Sequence, residues 1–186
     1  MSAALKTRIA VALLTMSAAG VAAWAVHEGA GPVSVNAAGV EQLHPYIPTK
    51  GDVPTIGQGS TRYEDGTAVK LTDPPITRQR AAELAHNLRR GDEKAFAASL
   101  PGVQLHQEEY DLYLNFVGQF GITNWRKSSM RRELLAGHHR AACDALPKYR
   151  FQAGRDCALP ANWGPKGCKG VWTRQQERHA QCLAAQ

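Results

Sequence analysis

The chain has 186 residues and a formal net charge of +6, which is enough length for one domain with a substantial core and a short extra segment. The positive charge favours an anionic partner, such as nucleic acid, acidic lipid or a cell-wall polymer. The four cysteines form no C-x-x-C pair, which argues against a zinc site.

The amino-terminal segment carries two basic residues, Lys6 and Arg8, followed by an uncharged stretch, Ile9–Val26. A helix of that length can just cross a bilayer, and the basic flank predicts a cytoplasmic N-terminus. Because more than half of the stretch is Ala, Gly, Ser or Thr, we expect a weakly held signal anchor over residues 1–27. A cleaved signal peptide is the alternative. Both interpretations export the remainder, so nucleic acid is not expected as a partner.

All four cysteines lie in the last quarter of the chain. An even number of clustered cysteines behind an export signal predicts two disulfides. Of the three possible pairings we favour the nested one, in which Cys143 pairs with Cys182 and Cys157 pairs with Cys168. The inner disulfide then closes a loop rich in Gly and Pro, and the outer one ties the last helix to an earlier helix.

The stretch Pro45–Thr61 is rich in Pro and Gly, which excludes a long helix. Gly29–Val40 is predicted to be a linker or a weak helix. After it, the short runs Tyr46–Ile47 and Thr55–Ile56 predict a small hairpin with a tight turn at Gly51. With a further predicted strand, residues 45–72 are expected to form a β-lobe.

Residues 73–186 are predicted to form a helical lobe, because their apolar residues recur at helical spacing. Thr77 is the expected N-cap of a helix that ends at Gly91. The stretch EEYDLYLNFVGQFG is apolar on most sides and predicts a central buried helix. A capping box of Thr173 and Gln176 predicts the start of the last helix. The expected fold class is α+β, with an N-terminal apolar helix before the two lobes.

Three motifs resemble a known family. The first, PTIGQGST, is similar to the hairpin of phage-type lysozymes, glycoside hydrolase family 24. The second, NFVGQFGITNWRKSSMRRELLAG, is similar to their central helix and the turn after it. The third, GVWTRQQERHAQC, is similar to their closing helix. The resemblance runs from Pro45 to the C-terminus and implies a lysozyme-like fold in a catalytic domain of residues 28–186. The weakly apolar start resembles signal-arrest-release endolysins of phages that infect Gram-negative bacteria.

The resemblance also implies an activity and a course of events. The substrate would be the peptidoglycan glycan strand, cut at the β-1,4 bond between N-acetylmuramic acid and N-acetylglucosamine, for host lysis and phage release. Signal-arrest-release endolysins are threaded inactive into the inner membrane, with the N-terminus cytoplasmic. They are released into the periplasm when the membrane is de-energised. We expect a monomer and no cofactor.

The catalytic triad implied by the resemblance is Glu, Asp and Thr. Thr55, in PTIG, matches the threonine, and Asp52 is our match for the aspartate. Glu28, in HEG, matches the Glu-Gly motif of the family. Glu41 is the alternative because it lies closer to the hairpin in the sequence. Glu28 would be the general acid, while an ionised Asp52 and Thr55 position the attacking water. An inserted anchor would hold Glu28 at the membrane surface, away from the hairpin.

Two other functions stay open at this point. A lytic transglycosylase acts on the same polymer with one catalytic Glu and without Asp52. A membrane-tethered wall-binding module needs no active residues at all. His138 and His139 are predicted to be surface residues and not metal ligands. For Trp125, Trp163 and Trp172 we favour core packing over stacking on sugars.

Overall fold

The computed structural model describes residues 7–20, 31–48 and 51–186. These residues form two compact units. The helical unit comprises residues 7–20 and 92–186, and the β unit comprises residues 31–48 and 51–91.

The described residues contain short strands and mostly short helices. The strands are β1 (Ile9–Ala10), β2 (Val33–Val35), β3 (Glu41–Leu43), β4 (Ile76–Thr77), β5 (Gln104–Leu105), β6 (Phe151–Gln152) and β7 (Arg155–Asp156). The α-helices are α1 (Arg78–Ala98), α2 (Gln107–Phe120), α3 (Ile122–Arg126), α4 (Ser129–Leu135), α5 (His139–Ala145) and α6 (Lys169–Ala184).

A three-stranded antiparallel sheet of order β2-β3-β4 organises the β unit. Of the stretch Gly29–Val40, predicted to be a linker or a weak helix, the described part forms β2 and a turn, so that prediction is wrong. Asn36 closes the turn, because its side-chain oxygen accepts the backbone N–H groups of Ala38 and Val40, each at 3.0 Å. Such a side-chain bond replaces a backbone bond in a tight turn.

The helix α1 begins where the sequence predicts. The hydroxyl of Thr77 accepts the backbone N–H of Arg80 at 3.1 Å, as an N-cap does. The predicted end at Gly91 is wrong, since α1 continues to Ala98. Glycine inside a helix costs about 1 kcal/mol relative to alanine. Burial of Phe96, one turn further on, offsets that cost.

The central buried helix of the helical unit is α2, as predicted. Its residue Tyr113 lies in a cluster of aromatic rings, 5.4 Å from the ring of Trp125. Trp125 is fully buried and donates its indole N–H to the hydroxyl of Ser99 at 2.8 Å. It is therefore a core residue, as the sequence favours. Trp163 is exposed, so the core packing favoured for it is wrong.

Two disulfides bind the carboxy-terminal part together. The outer disulfide, Cys143–Cys182, joins α5 to α6, and the inner disulfide, Cys157–Cys168, closes a loop. This is the nested pairing that the sequence favours. The helix α6 begins at Lys169 and not at the predicted capping box, because Val171 packs against the inner disulfide and stabilises the extra turn.

Residues 9–17, part of the stretch for which the sequence predicts an apolar helix, form β1 and one short 3-10 helix, Val11–Leu13, and contain no α-helix. The strand β1 pairs antiparallel with β5, and the backbone N–H of Val11 donates to the carbonyl of Val103 at 3.0 Å. Residues 18–20 are helical, and the rest of the predicted helix lies outside the described residues. In the described part of the chain, no helix combines the length and apolarity needed to span a bilayer.

Polar contacts fix this amino-terminal segment to the helical unit. The backbone N–H groups of Met16 and Ser17 donate to the carboxylates of Glu93 (2.6 Å) and Asp111 (3.0 Å). At Gly20 an added Cβ would lie 2.7 Å from Cγ of Asp111, so a larger residue does not fit without a shift. Residues 7–20 are therefore an integral part of the helical unit. The predicted domain boundary at residue 27 lies outside the described residues.

Candidate active site

A pair of backbone bonds joins the two sides of the hairpin that carries Thr55. Thr55 and Tyr46 exchange two N–H···O bonds, both 2.8 Å long, so the predicted pairing is present as one bridge. Thr55 itself is buried, and its hydroxyl donates to the carbonyl of Val53 at 3.2 Å. A hydroxyl whose proton is engaged in this way presents its lone pairs to a water or a substrate hydroxyl.

Glycine at position 57 is required by the turn after Thr55. Gly57 has φ +61, a left-handed conformation that favours glycine. An added Cβ would also lie 2.7 Å from Cβ of Ala81 on α1. The preceding residue, Ile56, is fully buried with Val69 and Leu84. The turn is thus clamped between the hairpin and the helix, which keeps Thr55 in a fixed position.

Asp52 lies on the same short segment, three residues before Thr55, and is half-buried. Its neighbour Gly51 has φ +91 and makes the predicted turn. A carboxylate and a hydroxyl at this spacing on a rigid loop can orient one water molecule between them. The two residues that the sequence singles out for positioning water therefore lie three positions apart on the described segment that begins at Gly51.

Of the two candidates for the general acid, the structure describes only Glu41. Glu28 lies outside the described residues. Glu41 lies on β3, and its carboxylate forms an ion pair with the guanidinium of Arg78, the first residue of α1. Both groups of this pair are exposed, so the contact belongs to the outer surface of the sheet.

The other described glutamates of the β unit also have partners. Glu64 accepts hydrogen bonds from Arg80 and Asn87, with arginine–carboxylate distances of 2.6 and 2.7 Å. The bonds from Arg80 and Asn87 lower the pKa of Glu64 to about 2, so this carboxyl does not hold a proton near neutral pH. Glu83 accepts a bond from Gln79 at 3.0 Å. Glu64 therefore does not offer the protonated carboxyl that a general acid needs.

The helical unit contains a buried carboxylate that the sequence analysis does not single out. Glu109, on α2, is fully buried and accepts hydrogen bonds from Arg8 (3.1 Å), the backbone of His106 (2.8 Å) and Gln186 (2.8 Å). Burial alone raises the pKa of Glu109, but these three donors outweigh it and lower the pKa. Acids near a helix start are usually exposed, so local sequence gives no signal for this cluster.

His139 belongs to the same cluster, and its prediction as a surface residue is wrong. Its side chain is only 19% exposed, and Nδ1 lies 3.6 Å from Oε1 of Glu109. Burial lowers the pKa of this histidine, although the nearby carboxylate opposes the shift. His138 is exposed, as predicted, and contacts Glu133 at 3.2 Å. The cluster ties the amino-terminal segment to the helix bundle and carries no catalytic assignment.

Known phage lysozymes are similar to this chain in sequence and in fold. The phage lysozyme family model matches residues 37–161, a segment that contains Glu41, Asp52 and Thr55. An endolysin of Salmonella phage P22 is 32% identical over 116 residues, which cover 62% of this chain and 77% of that protein. The crystal structure of a P22 lysozyme mutant superposes with a TM-score of 0.61 at 25% identity, covering 92% of this chain and 99% of the other. An endolysin from Escherichia coli O157:H7 phage FAHEc1 gives a TM-score of 0.63 at 21% identity, covering 92% and 94% of the two chains, and shows the fold alone.

Proposed function

Because the chain belongs to the phage lysozyme family, we propose that it hydrolyses the β-1,4 bond between N-acetylmuramic acid and N-acetylglucosamine in peptidoglycan. The chain is a glycoside hydrolase with a lysozyme-like mixed fold. As an endolysin it would lyse the host and release phage. The observation that carries the proposal is the segment 52–57, in which a half-buried Asp52 is followed by a buried Thr55 and by the packed turn at Gly57.

The proposed mechanism divides the work between two kinds of group. Glu28 donates a proton to the leaving glycosidic oxygen, while Asp52 stays ionised and, with Thr55, orients the water that attacks the anomeric carbon. The engagement of Glu41 with Arg78 supports Glu28 as the acid. The lowered pKa of Glu64, caused by its bonds from Arg80 and Asn87, supports the same assignment.

Activity on purified peptidoglycan tests the assignment of the acid. We expect Glu28→Gln to abolish zymogram clearing and Glu41→Gln, its matched control, to keep most of the wild-type rate. The reverse pattern would show that Glu41 is the acid. Full activity in both variants would show that neither glutamate is the acid. An inactive wild type would contradict the catalytic proposal and favour a wall-binding module.

The products distinguish hydrolysis from transglycosylation. Hydrolysis gives reducing muramic acid ends and depends on Asp52, whereas a lytic transglycosylase leaves anhydro ends and does not need Asp52. We expect Asp52→Ala to lose most activity and the wild type to give reducing ends by mass spectrometry. Anhydro ends together with an active Asp52→Ala variant would contradict hydrolysis.

We further propose that the protein is a signal-arrest-release endolysin, a monomer first held in the host inner membrane with its N-terminus in the cytoplasm and later released to the periplasm. The ion pair of Arg8 with Glu109 supports two alternative states. An Arg8 on the cytoplasmic side cannot reach a domain on the other side of a hydrocarbon core about 30 Å thick. Insertion and docking of residues 7–20 therefore exclude each other.

The docked segment also supports release without cleavage. Removal of the segment by a signal peptidase would leave β5 without its partner strand and take Val11 out of the core. The two disulfides agree with an oxidising periplasm. The intact mass of the periplasmic protein is expected to be that of the full chain. A mass lacking the first 25 or so residues would refute this part of the proposal.

Membrane retention can be tested with substitutions outside residues 7–20. Replacing Ala22, Ala23 and Ala25 by leucine makes the segment more apolar, and we expect slower release and delayed lysis. Serine at the same positions is the matched control and should release at least as fast as wild type. Gly20 is unsuitable for this test, because its replacement also crowds Asp111. Equal release of the leucine and serine variants would contradict the proposal.

A further inference from the structure

The segment from Lys148 to Lys169, called the basic loop below, is a small module at the carboxy-terminal side of the helical unit. It contains β6, β7 and the loop closed by the inner disulfide, Cys157–Cys168. Within its 22 residues there are five lysines and arginines and one acid. Its net charge of +4 is most of the +6 carried by the whole chain.

The basic loop is rigid for its size. The register of β6 and β7 places Phe151 opposite Asp156, whose backbone carbonyl accepts the N–H of Leu159 at 3.2 Å. The carbonyl of Cys157, the next residue, accepts the indole N–H of Trp163 at 2.9 Å. Phe151, Leu159 and Trp163 are therefore each connected to residues 156–157, next to the inner disulfide.

These apolar side chains face solvent. The exposed fractions are 56% for Phe151, 53% for Leu159 and 37% for Trp163. Exposed apolar groups rimmed by polar ones mark interaction sites. Both aromatic rings have a cation beside them. Cζ of Arg150 lies 5.6 Å from the ring centroid of Phe151, and Nζ of Lys169 lies 4.8 Å from that of Trp163.

We propose that the basic loop binds the surface of an anionic lipid bilayer. Exposed aromatic and aliphatic side chains next to lysine and arginine suit the interface, where the apolar groups enter the headgroup boundary and the cations meet anionic headgroups. Leu159 argues for lipid over a glycan strand, because an aliphatic side chain offers no ring to stack on a sugar. Lys169, placed over Trp163, occupies one face of the ring that stacking would use.

This proposal does not depend on the catalytic assignment, since binding is measured without substrate. Co-sedimentation of the full chain with vesicles is the direct test. We expect binding to vesicles of phosphatidylcholine mixed with phosphatidylglycerol and little binding to phosphatidylcholine alone. Lys166→Gln with Lys169→Gln should weaken binding by about fivefold for each cation removed.

The apolar part of the surface has its own variants and controls. Phe151→Ser with Leu159→Ser should weaken binding by about tenfold per side chain, and neither residue makes a side-chain hydrogen bond that folding would lose. Leu135→Ser, at an exposed leucine on α4, is the matched apolar control. Lys94→Gln with Arg140→Gln, at two exposed cations elsewhere in the helical unit, is the matched charge control. Both controls should bind anionic vesicles like wild type.

Several results would overturn the proposal. One is equal binding to neutral and anionic vesicles, and another is equal loss in the loop variants and their controls. A third is failure to bind any vesicle while the loop variants lose binding to insoluble peptidoglycan, which would assign the surface to the wall polymer. Hydrolysis of soluble peptidoglycan fragments should be unchanged in the loop variants, so a failure of the catalytic proposal is seen separately.

Discussion

Replacement of Arg8 by methionine tests whether the amino-terminal segment is docked as described. Arg8 donates to Glu109 and also to the side-chain oxygen of Gln186 at 2.8 Å. Methionine keeps much of the length of the side chain and removes only the charge and the donors. The variant therefore leaves a buried carboxylate without its cation.

The size of the effect follows from the burial of the two partners. Removing one partner of a buried ion pair costs about 3–5 kcal/mol. The side chain of Arg8 is 28% exposed, and Glu109 keeps its bonds from the backbone of His106 and from Gln186. We therefore expect a loss of about 2–3 kcal/mol in the free energy of unfolding. For a chain of this length that corresponds to a melting temperature lowered by roughly 5–10 °C.

The pH dependence of this loss gives a second readout. The pKa of Glu109 is lowered in the folded protein, so the pair contributes stability above the unfolded pKa of about 4.5, and this contribution is lost as the pH falls through the folded value. The gap in stability between wild type and Arg8→Met should narrow in acid, because a protonated Glu109 no longer needs a cation.

Urea unfolding of the wild type and the variant, at neutral pH and at pH 4, measures both effects. The double variant Arg8→Met with Glu109→Gln removes the stranded charge and should recover a large part of the loss. Arg8→Lys is the control that keeps the charge. If Arg8→Met lies within about 0.5 kcal/mol of wild type at neutral pH, the segment is not docked through this pair and the reasoning fails.

Three further outcomes are expected. Replacing both cysteines of the outer disulfide by serine should lower the free energy of unfolding in urea by roughly 4 kcal/mol, against roughly 3 kcal/mol for the inner disulfide. The outer disulfide closes the longer loop, since the sequence separations are 39 and 11. Equal losses would contradict the loop-entropy account. Gly57→Ala should lower stability by more than about 2 kcal/mol, whereas Gly102→Ala, which also has a positive φ but no atom within 4 Å of the added Cβ, should cost about 1 kcal/mol in the same assay. Thr55→Val should reduce turnover of peptidoglycan by roughly a hundredfold with little change in melting temperature, and an unchanged rate would remove Thr55 from the mechanism.

Local sequence determined the elements that depend on neighbours along the chain. The apolar spacing of α2 predicted a helix buried on most sides, and it is the central helix of its unit. Ser128 caps α4 by accepting the N–H of Arg131 at 3.1 Å, a bond between residues three apart. The turn at Gly51 and the pairing of Tyr46 with Thr55 follow in the same way from Pro and Gly positions. Such contacts need no information from distant parts of the chain.

Other features depended on packing between distant segments. The continuation of α1 past Gly91 and the early start of α6 both follow burial of apolar residues that lie beyond the local signal. Local propensity is a weak guide where tertiary contacts decide. The choice of the general acid is a further example, because the local sequence around Glu28 and Glu41 could not reveal that Glu41 pairs with Arg78.

The amino-terminal segment shows most clearly what the sequence left open. Its apolar run without charges is compatible with a helix in a bilayer and with a segment buried in a protein core. In the tertiary structure residues 9–17 pack against the protein, because β5 forms hydrogen bonds with β1 and Glu109 pairs with the neighbouring Arg8. Both partners lie roughly a hundred residues further along the chain, beyond the reach of any local pattern.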